Sequence, residues 1–116
     1  MSEIVRISPG PRMSAAVVHN GTVYLAGQVG ETGTNVTEQT RECLAEVDRL
    51  LAEAGTDKSR ILSAQIWLAD VSTVAEMNAV WSDWVVPGHT PARATGESKL
   101  VDPRYLVEVL VIAALP

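Results

Sequence analysis

The last strand-like segment of the chain, residues 104–114, is apolar on both of its faces, and this feature limits the folds that the chain can adopt. Alternate side chains of a strand point to opposite faces of a sheet. The aliphatic residues of this segment form two such sets: Val107, Val109 and Val111, and Leu106, Leu110 and Ile112. Each large aliphatic side chain left in water forgoes about 1.5–3 kcal/mol of burial. The segment therefore predicts a sheet that is covered on both faces.

The first of two predicted helices spans about residues 36–54. Apolar side chains recur there at spacings of three and four, which places them on one helix face. Asn35 and Glu38 resemble a capping box at the helix start, and Gly55 is a C-terminal stop signal.

The second predicted helix has Ser72 as its N-cap and ends at Pro87-Gly88. Two helices can cover only one face of a sheet. The other face needs apolar cover, and another copy of the chain is its simplest source. We therefore expect a homo-oligomer.

The remaining pattern completes an α+β fold. Asn20-Gly21 predicts a tight hairpin, because both residues tolerate the positive φ of a type I′ turn. The strand-like segments are residues 3–7, 12–19, 22–27, 60–70, 91–98 and 104–114. We predict a single domain over residues 1–116, in which a mixed β-sheet of about six strands has two helices packed on one face.

Composition excludes several classes of function. The net charge is −5, and the nine Lys and Arg residues are scattered, so a nucleic-acid or anionic-membrane surface is disfavoured. The N-terminal stretch lacks the apolar run of a signal peptide, and residues 105–115 are too short to span a bilayer. The one cysteine, Cys43, cannot form an internal disulfide. These features predict a cytoplasmic protein with no membrane partner.

The sequence offers no metal site, phosphate loop or activated nucleophile. His19 and His89 lack a second ligand at zinc spacing. The segment "LAGQVGETG" is a poor nucleotide-binding fingerprint, and no serine stands in a nucleophile-elbow context. Cys43 lies on the apolar stripe of the first helix and is expected in the core.

Arg93 and Glu108 are the side chains with the clearest capacity for chemistry. Arg93 stands among small residues in "TPARATGESKL", and its guanidinium can bind a carboxylate through two hydrogen bonds. Glu108 lies within the apolar strand, where a carboxylate needs a partner or a raised pKa. From spacing alone, three alternatives remain open: a ligand site, a structural Arg93–Glu108 pair, and two solvent-exposed side chains.

Four segments together resemble the reactive-intermediate deaminase family, the Rid or YjgF-like proteins. They are "RMSAAVVHNGTVYLAGQVG", "QTRECLAEVDRLLAEAG", "SAQIWLAD" and "PARAT…LVEVLVIAA". The resemblance implies a chorismate-mutase-like fold and a homotrimer with ligand clefts between subunits. It also implies hydrolysis of enamines and imines to 2-oxo acids and ammonia, with neither a metal nor an organic cofactor.

The resemblance also implies roles for individual residues. Arg93 matches the arginine that grips the substrate carboxylate, and Glu108 matches the carboxylate that orients or activates water. Gly27 matches a glycine whose backbone lines the cleft. Thr95 stands where many members have a ligand-contacting cysteine.

Two further positions depart from the best-characterised members. Met13 stands in place of a tyrosine, and Ala26 in place of a serine. Generic imine hydrolysis is expected, whereas a preference for the small enamine made from serine or threonine is not. Arg12, near the implied cleft, is interpreted as a surface residue or as a contact for a second anionic group.

Two other functions remain as alternatives. A non-catalytic trimer that binds small carboxylates would use the same arginine in an altered pocket. A ribonuclease or translation inhibitor is disfavoured by the acidic net charge of −5.

Overall fold

The computed structural model describes residues 3–116 as a seven-stranded mixed sheet with two helices on one of its faces. Its strands are β1 (Val5–Ile7), β2 (Ala16–His19), β3 (Thr22–Leu25), β4 (Gln28–Val29), β5 (Ile61–Leu68), β6 (Ala92–Glu97) and β7 (Val107–Ala114). Its helices are α1 (Val36–Ala54) and α2 (Val74–Trp84). The predicted α+β class and its helix layer are confirmed.

The strand order is β1-β2-β3-β7-β5-β6, so β7 lies inside the sheet and β6 forms one edge. The β5–β6 pair is parallel, and the other pairs are antiparallel. The strand that sequence analysis missed is β4, which has two residues and pairs with β7 beside β3. A strand this short carries too little periodicity to be recognised from the sequence.

The β2–β3 hairpin is as predicted. Asn20 and Gly21 have φ values of 51° and 75°, and His19 pairs with Thr22 across the turn. Two consecutive left-handed residues define a type I′ turn, whose twist matches that of the flanking strands.

Both ends of α1 are fixed by the predicted residues. The Asn35 side chain accepts a hydrogen bond from the Glu38 N–H at 2.8 Å. The Glu38 carboxylate accepts from the Thr34 N–H at 2.8 Å, one residue earlier than a reciprocal capping box requires. Gly55, at φ 93°, donates its N–H to the carbonyl of Ala52.

The prediction that Ser72 caps α2 is wrong. Asp70 accepts hydrogen bonds from the Ser72 N–H at 2.9 Å and from the Ser72 hydroxyl at 2.7 Å, which closes a short 3₁₀ turn. The helix begins after Thr73, whose side chain makes no capping bond. Asp competes well for this role because its carboxylate accepts from backbone N–H groups two residues on.

The two faces of β7 differ in exposure. Val107, Val109, Val111 and Ala113 face the helices and are at most 1% exposed. The opposite face, here called the open face, carries a contiguous set of apolar side chains from four strands: Val17, Tyr24, Trp67, Leu110 and Ile112. On this face Tyr24 is 46% exposed and Trp67 is 38% exposed. The expectation of an oligomer rests on this uncovered surface.

Gln39 is a buried polar side chain that ties α1 to two loops. It is 2% exposed, and its amide donates to the carbonyls of Gly33 at 3.0 Å and Arg104 at 2.9 Å. Its side-chain oxygen accepts from the Leu106 N–H at 2.8 Å. The start of β7 is thereby fixed to α1.

We expect Gln39→Leu to lower the free energy of unfolding by about 3 kcal/mol, because three partly buried hydrogen bonds to the backbone are lost. Urea unfolding followed by circular dichroism measures the loss. Arg41→Leu, an exposed position on the same helix, is the matched control and should change stability by less than about 0.5 kcal/mol. Equal effects of the two substitutions would contradict the anchoring role of Gln39.

No helix within residues 3–116 combines the length and the apolar character needed to cross a bilayer.

Candidate functional site

Glu108 lies on the open face in the middle of β7. Its cross-strand neighbours are Trp67 on β5 and Val29 on β4. Leu106 and Leu110 flank it along its own strand segment. The neighbours of the Glu108 side chain along and across the strands are therefore apolar.

Gly27 packs directly against the Glu108 carboxylate. A Cβ atom built on Gly27 would overlap Glu108 Oε2 and would lie 2.9 Å from its carboxyl carbon. Any other residue at this position would displace the carboxyl group. The predicted site residues Gly27 and Glu108 are thus brought together, and glycine is required for that approach.

The path of the chain explains why these two residues meet. After β3 ends at Leu25, the Ala26 N–H donates to the Ala15 carbonyl at 2.9 Å. The chain then moves from β2 towards β7, where Gln28 pairs with Val109. Gly27 lies where the chain crosses from β2 to β7, and it packs against the Glu108 side chain.

A cleft of about 570 Å³ opens beside Gly27, between the loops around β2–β4 and helix α1. Its lining includes the predicted residues Met13 and Ala26, of which Met13 is 60% exposed. The cleft is also lined by three carboxylates, those of Glu31, Glu42 and Glu46.

Two of these carboxylates are held by the protein itself. Glu42 accepts from the Thr32 N–H at 3.0 Å, from the Thr32 hydroxyl at 2.8 Å and from the Gly33 N–H. These hydrogen bonds, the Thr32 hydroxyl first, hold the pKa of Glu42 below its usual range. Glu31 accepts from the Tyr105 hydroxyl at 3.1 Å and pairs with Arg104 at 3.3 Å.

Arg93 and Thr95 lie away from this cleft, on the edge strand β6. Arg93 pairs with Ala64 and Thr95 with Ile66, and both partners face the helices. The Arg93 guanidinium lies 5.3 Å from the centre of the Trp81 ring. The Thr95 hydroxyl oxygen is buried and finds no hydrogen-bond partner within residues 3–116.

The Arg93–Glu108 pair considered from the sequence is not formed within the chain. Strand β5 separates β6 from β7, and Arg93 is in register with Val111, three residues from Glu108. Strand spacing and rise place the two Cα atoms about 14 Å apart. The odd offset puts the two side chains on opposite faces of the sheet. Spacing in sequence cannot show this separation, because it depends on strand order.

The histidines and Arg12, which the sequence analysis considered as possible ligand-binding residues, have the following positions. His19 ends β2 and His89 follows α2. Residues 3–116 contain no group of three His, Cys, Asp or Glu side chains able to hold a metal ion. Arg12 is exposed.

Cys43 is a core residue, as predicted. It is fully buried, and its thiol donates to the Gln28 carbonyl at 3.2 Å, which fixes β4 to α1. Burial raises the pKa of the Cys43 thiol to about 12, and the nearby carboxylates of Glu42 and Glu108 act in the same direction.

This shift predicts a loss of stability at high pH. The unfolded chain releases the thiol proton near pH 9, whereas the folded chain keeps it to about pH 12. Between these values Cys43 should lower the free energy of unfolding by about 1.4 kcal/mol per pH unit. Urea unfolding at pH 8 and pH 10.5 should show a steeper fall for the native chain than for Cys43→Ala. Equal slopes would contradict the prediction.

Sequence analysis missed two aromatic residues beside the site. Trp81 falls within the second predicted helix and Trp67 within the strand-like segment 60–70, and neither was assigned a role at the site. Their proximity to Arg93 and Glu108 follows from register between strands and helices distant in sequence. The one signal available was the rarity of aromatic residues, 4% of the chain.

A family model described as Endoribonuclease L-PSP matches residues 3–115 of this chain. The chain is 47% identical, over 112 residues, to a RutC family protein of Haemophilus influenzae, covering 95% of this chain and 97% of that protein. The chain belongs to the Rid (YjgF-like) family. The family resemblance read from its segments is confirmed.

Two further relatives place this Rid chain among close homologues. The RutC family protein YoaB of Escherichia coli is 43% identical over 112 residues, covering 97% of this chain and 98% of that protein. The crystal structure of a YjgF family member from Neisseria meningitidis superimposes with a TM-score of 0.97 at 45% identity, covering 98% of this chain and 96% of that one. The Rid fold is therefore shared along nearly the whole chain.

Proposed function

We propose that this Rid chain is an imine and enamine deaminase that hydrolyses amino-acid-derived intermediates to 2-oxo acids and ammonia. The observation that carries the proposal is the placement of Arg93 and Glu108 on opposite faces of the sheet. Within residues 3–116, the Arg93 guanidinium has no carboxylate in ion-pair distance. Both groups are thus left for a ligand or for another chain.

A ligand that touches both residues must lie between two chains. We infer a homotrimer, the assembly that the family resemblance implies, in which Arg93 of one subunit meets Glu108 of its neighbour. The apolar open face supports such an assembly, because Tyr24 and Trp67 would otherwise remain in water. Each site would then be incomplete in an isolated subunit.

The proposed chemistry needs little more than positioning. Arg93 would bind the substrate carboxylate with two parallel hydrogen bonds. Glu108 would accept a proton from water as its oxygen adds to the carbon of the N-protonated C=N bond, forming a neutral carbinolamine. Return of that proton to nitrogen makes ammonia the leaving group, and Glu108 accepts the carbinolamine hydroxyl proton as the C–N bond breaks and the C=O bond forms. One imine and one water thus give one 2-oxo acid and one ammonia.

The side chains near the proposed site indicate which substrates it should accept. Met13 and Ala26 place no hydroxyl beside Gly27, and the Thr95 hydroxyl lies on the β6 edge strand. We infer that the chain accepts imino acids with apolar side chains and makes few polar contacts beyond the carboxylate.

The test is an imine-trapping assay. An amino-acid oxidase generates imines in the presence of semicarbazide, and the chain should divert them from the semicarbazone to the 2-oxo acid. No diversion across a panel of apolar and polar amino acids would overturn the proposal. RNA cleavage that disappears in Arg93→Ala would overturn it in favour of a nuclease, the activity named in the family model.

A second candidate is a non-catalytic trimer that binds small carboxylates. The exposed Met13 and the absence of a titratable group at Ala26 and Thr95 favour it, because fewer groups are available to move protons. It predicts that 2-oxo acids raise the melting temperature without any turnover of imines. Turnover together with binding would exclude it.

A further inference from the structure

Arg93 lies beside an aromatic side chain, a contact that the family resemblance did not indicate. Arg93 lies on the helix-facing side of β6, and its guanidinium carbon is 5.3 Å from the centre of the Trp81 ring. Within the described residues, the guanidinium forms no ion pair and no side-chain hydrogen bond. The Trp81 indole is therefore the contact that can orient the Arg93 guanidinium.

Trp81 is itself held firmly. It is 7% exposed, and its ring centre lies 5.3 Å from that of Trp84 at an interplanar angle of 48°. The Trp84 Nε1–H donates to the carboxylate of Asp48 on α1 at 3.0 Å. The Lys58 ammonium lies 5.2 Å from the centre of the Trp84 ring. Two cations, two indoles and one carboxylate thus form a linked cluster that joins α1, α2 and β6.

An aromatic partner has a specific consequence for an arginine that must bind a ligand. The ring attracts the cation through its quadrupole and uses none of the five N–H donors in conventional hydrogen bonds. A carboxylate partner at the same place would occupy those donors and neutralise the charge. Trp81 can therefore restrain the guanidinium and leave its donors available.

We propose that Trp81 is a positioning residue for Arg93 and sets the affinity for the substrate carboxylate. This inference rests on the proposed role of Arg93 in holding that carboxylate. Trp81 acts through Arg93 and not on the reacting C=N bond, so its loss should weaken binding of substrate and 2-oxo acid equally. That pattern raises KM and leaves kcat almost unchanged.

The experiment compares Trp81→Leu, Trp81→Phe and Val80→Ala. In Trp81→Leu, KM for imine and Kd for a 2-oxo acid should rise about three- to tenfold, with kcat within about twofold. Trp81→Phe keeps a ring and should restore most of the affinity. Val80→Ala loosens the neighbouring position of α2 without touching the Arg93 contact, and it should leave KM unchanged even where it lowers the melting temperature.

The results of these measurements separate the positioning role of Trp81 from the proposed deaminase activity. An unchanged KM and Kd in Trp81→Leu, or an equal rise in Val80→Ala, would overturn the positioning role. Calorimetric binding of a 2-oxo acid by the native chain without imine turnover would overturn the deaminase proposal alone, because the Trp81 comparison can still be made on Kd. A native chain that binds no 2-oxo acid would overturn both proposals.

Discussion

Arg93→Ala should lower kcat/KM for imine hydrolysis by about a hundredfold to a thousandfold, the loss expected when two charge-assisted hydrogen bonds to a substrate carboxylate are removed. Arg93→Lys should recover little of this activity, because an ammonium group cannot reproduce the planar fork of a guanidinium. The melting temperature should change little, since Arg93 is exposed on an edge strand. The imine-trapping assay and differential scanning calorimetry measure the two quantities.

Arg41→Ala is the matched control, because Arg41 is an exposed arginine that lies on α1 and not on the edge strand β6. It should retain native activity. Retention of native activity in Arg93→Ala would remove the basis of the proposed function. An equal loss in Arg41→Ala would point to a general effect of net charge.

Gly27→Ala is expected to abolish most activity while preserving the fold. The added methyl group would overlap the Glu108 carboxylate, and the nearest atoms belong to the far end of a flexible side chain. The carboxylate can therefore rotate away, which costs little stability but removes it from its place beside the C=N bond. We expect a loss of about a hundredfold in kcat/KM, similar to that of Glu108→Gln. Steady-state kinetics and urea unfolding measure the two effects.

The double variant Gly27→Ala/Glu108→Gln distinguishes displacement of the carboxylate from a general disturbance of β4. If the methyl group acts only through Glu108, the double variant should be no less active than Glu108→Gln alone. Additive losses would contradict that interpretation. Native activity in Gly27→Ala would show that the observed position of the Glu108 carboxyl group is unimportant.

Much of the fold follows from local sequence signals. Asn20-Gly21, Asn35 and Gly55 act through their own backbone geometry, and each was assigned correctly. The two-faced pattern of β7 correctly indicated a helix-covered face and an open face. Ser72 was misassigned because Asp70, two residues earlier, competes for the same backbone groups.

The arrangement of the site could not be obtained from local signals. Arg93 and Glu108 are 15 positions apart in the sequence, yet β5 is inserted between their strands. Strand order and strand register together determine that they face opposite sides. The Trp81 contact with Arg93 depends in turn on how α2 packs on the edge of the sheet. Such long-range register is set by packing and not by periodicity.

Subunit mixing tests the central claim most directly. Differently tagged Arg93→Ala and Glu108→Gln chains are unfolded together, refolded and assayed after purification of species that carry both tags. If each site takes Arg93 from one chain and Glu108 from its neighbour, one of the three sites in every mixed trimer regains both groups, and the purified species should show about a third of native activity. Activity no greater than the sum of the two inactive parents would contradict a site shared between chains.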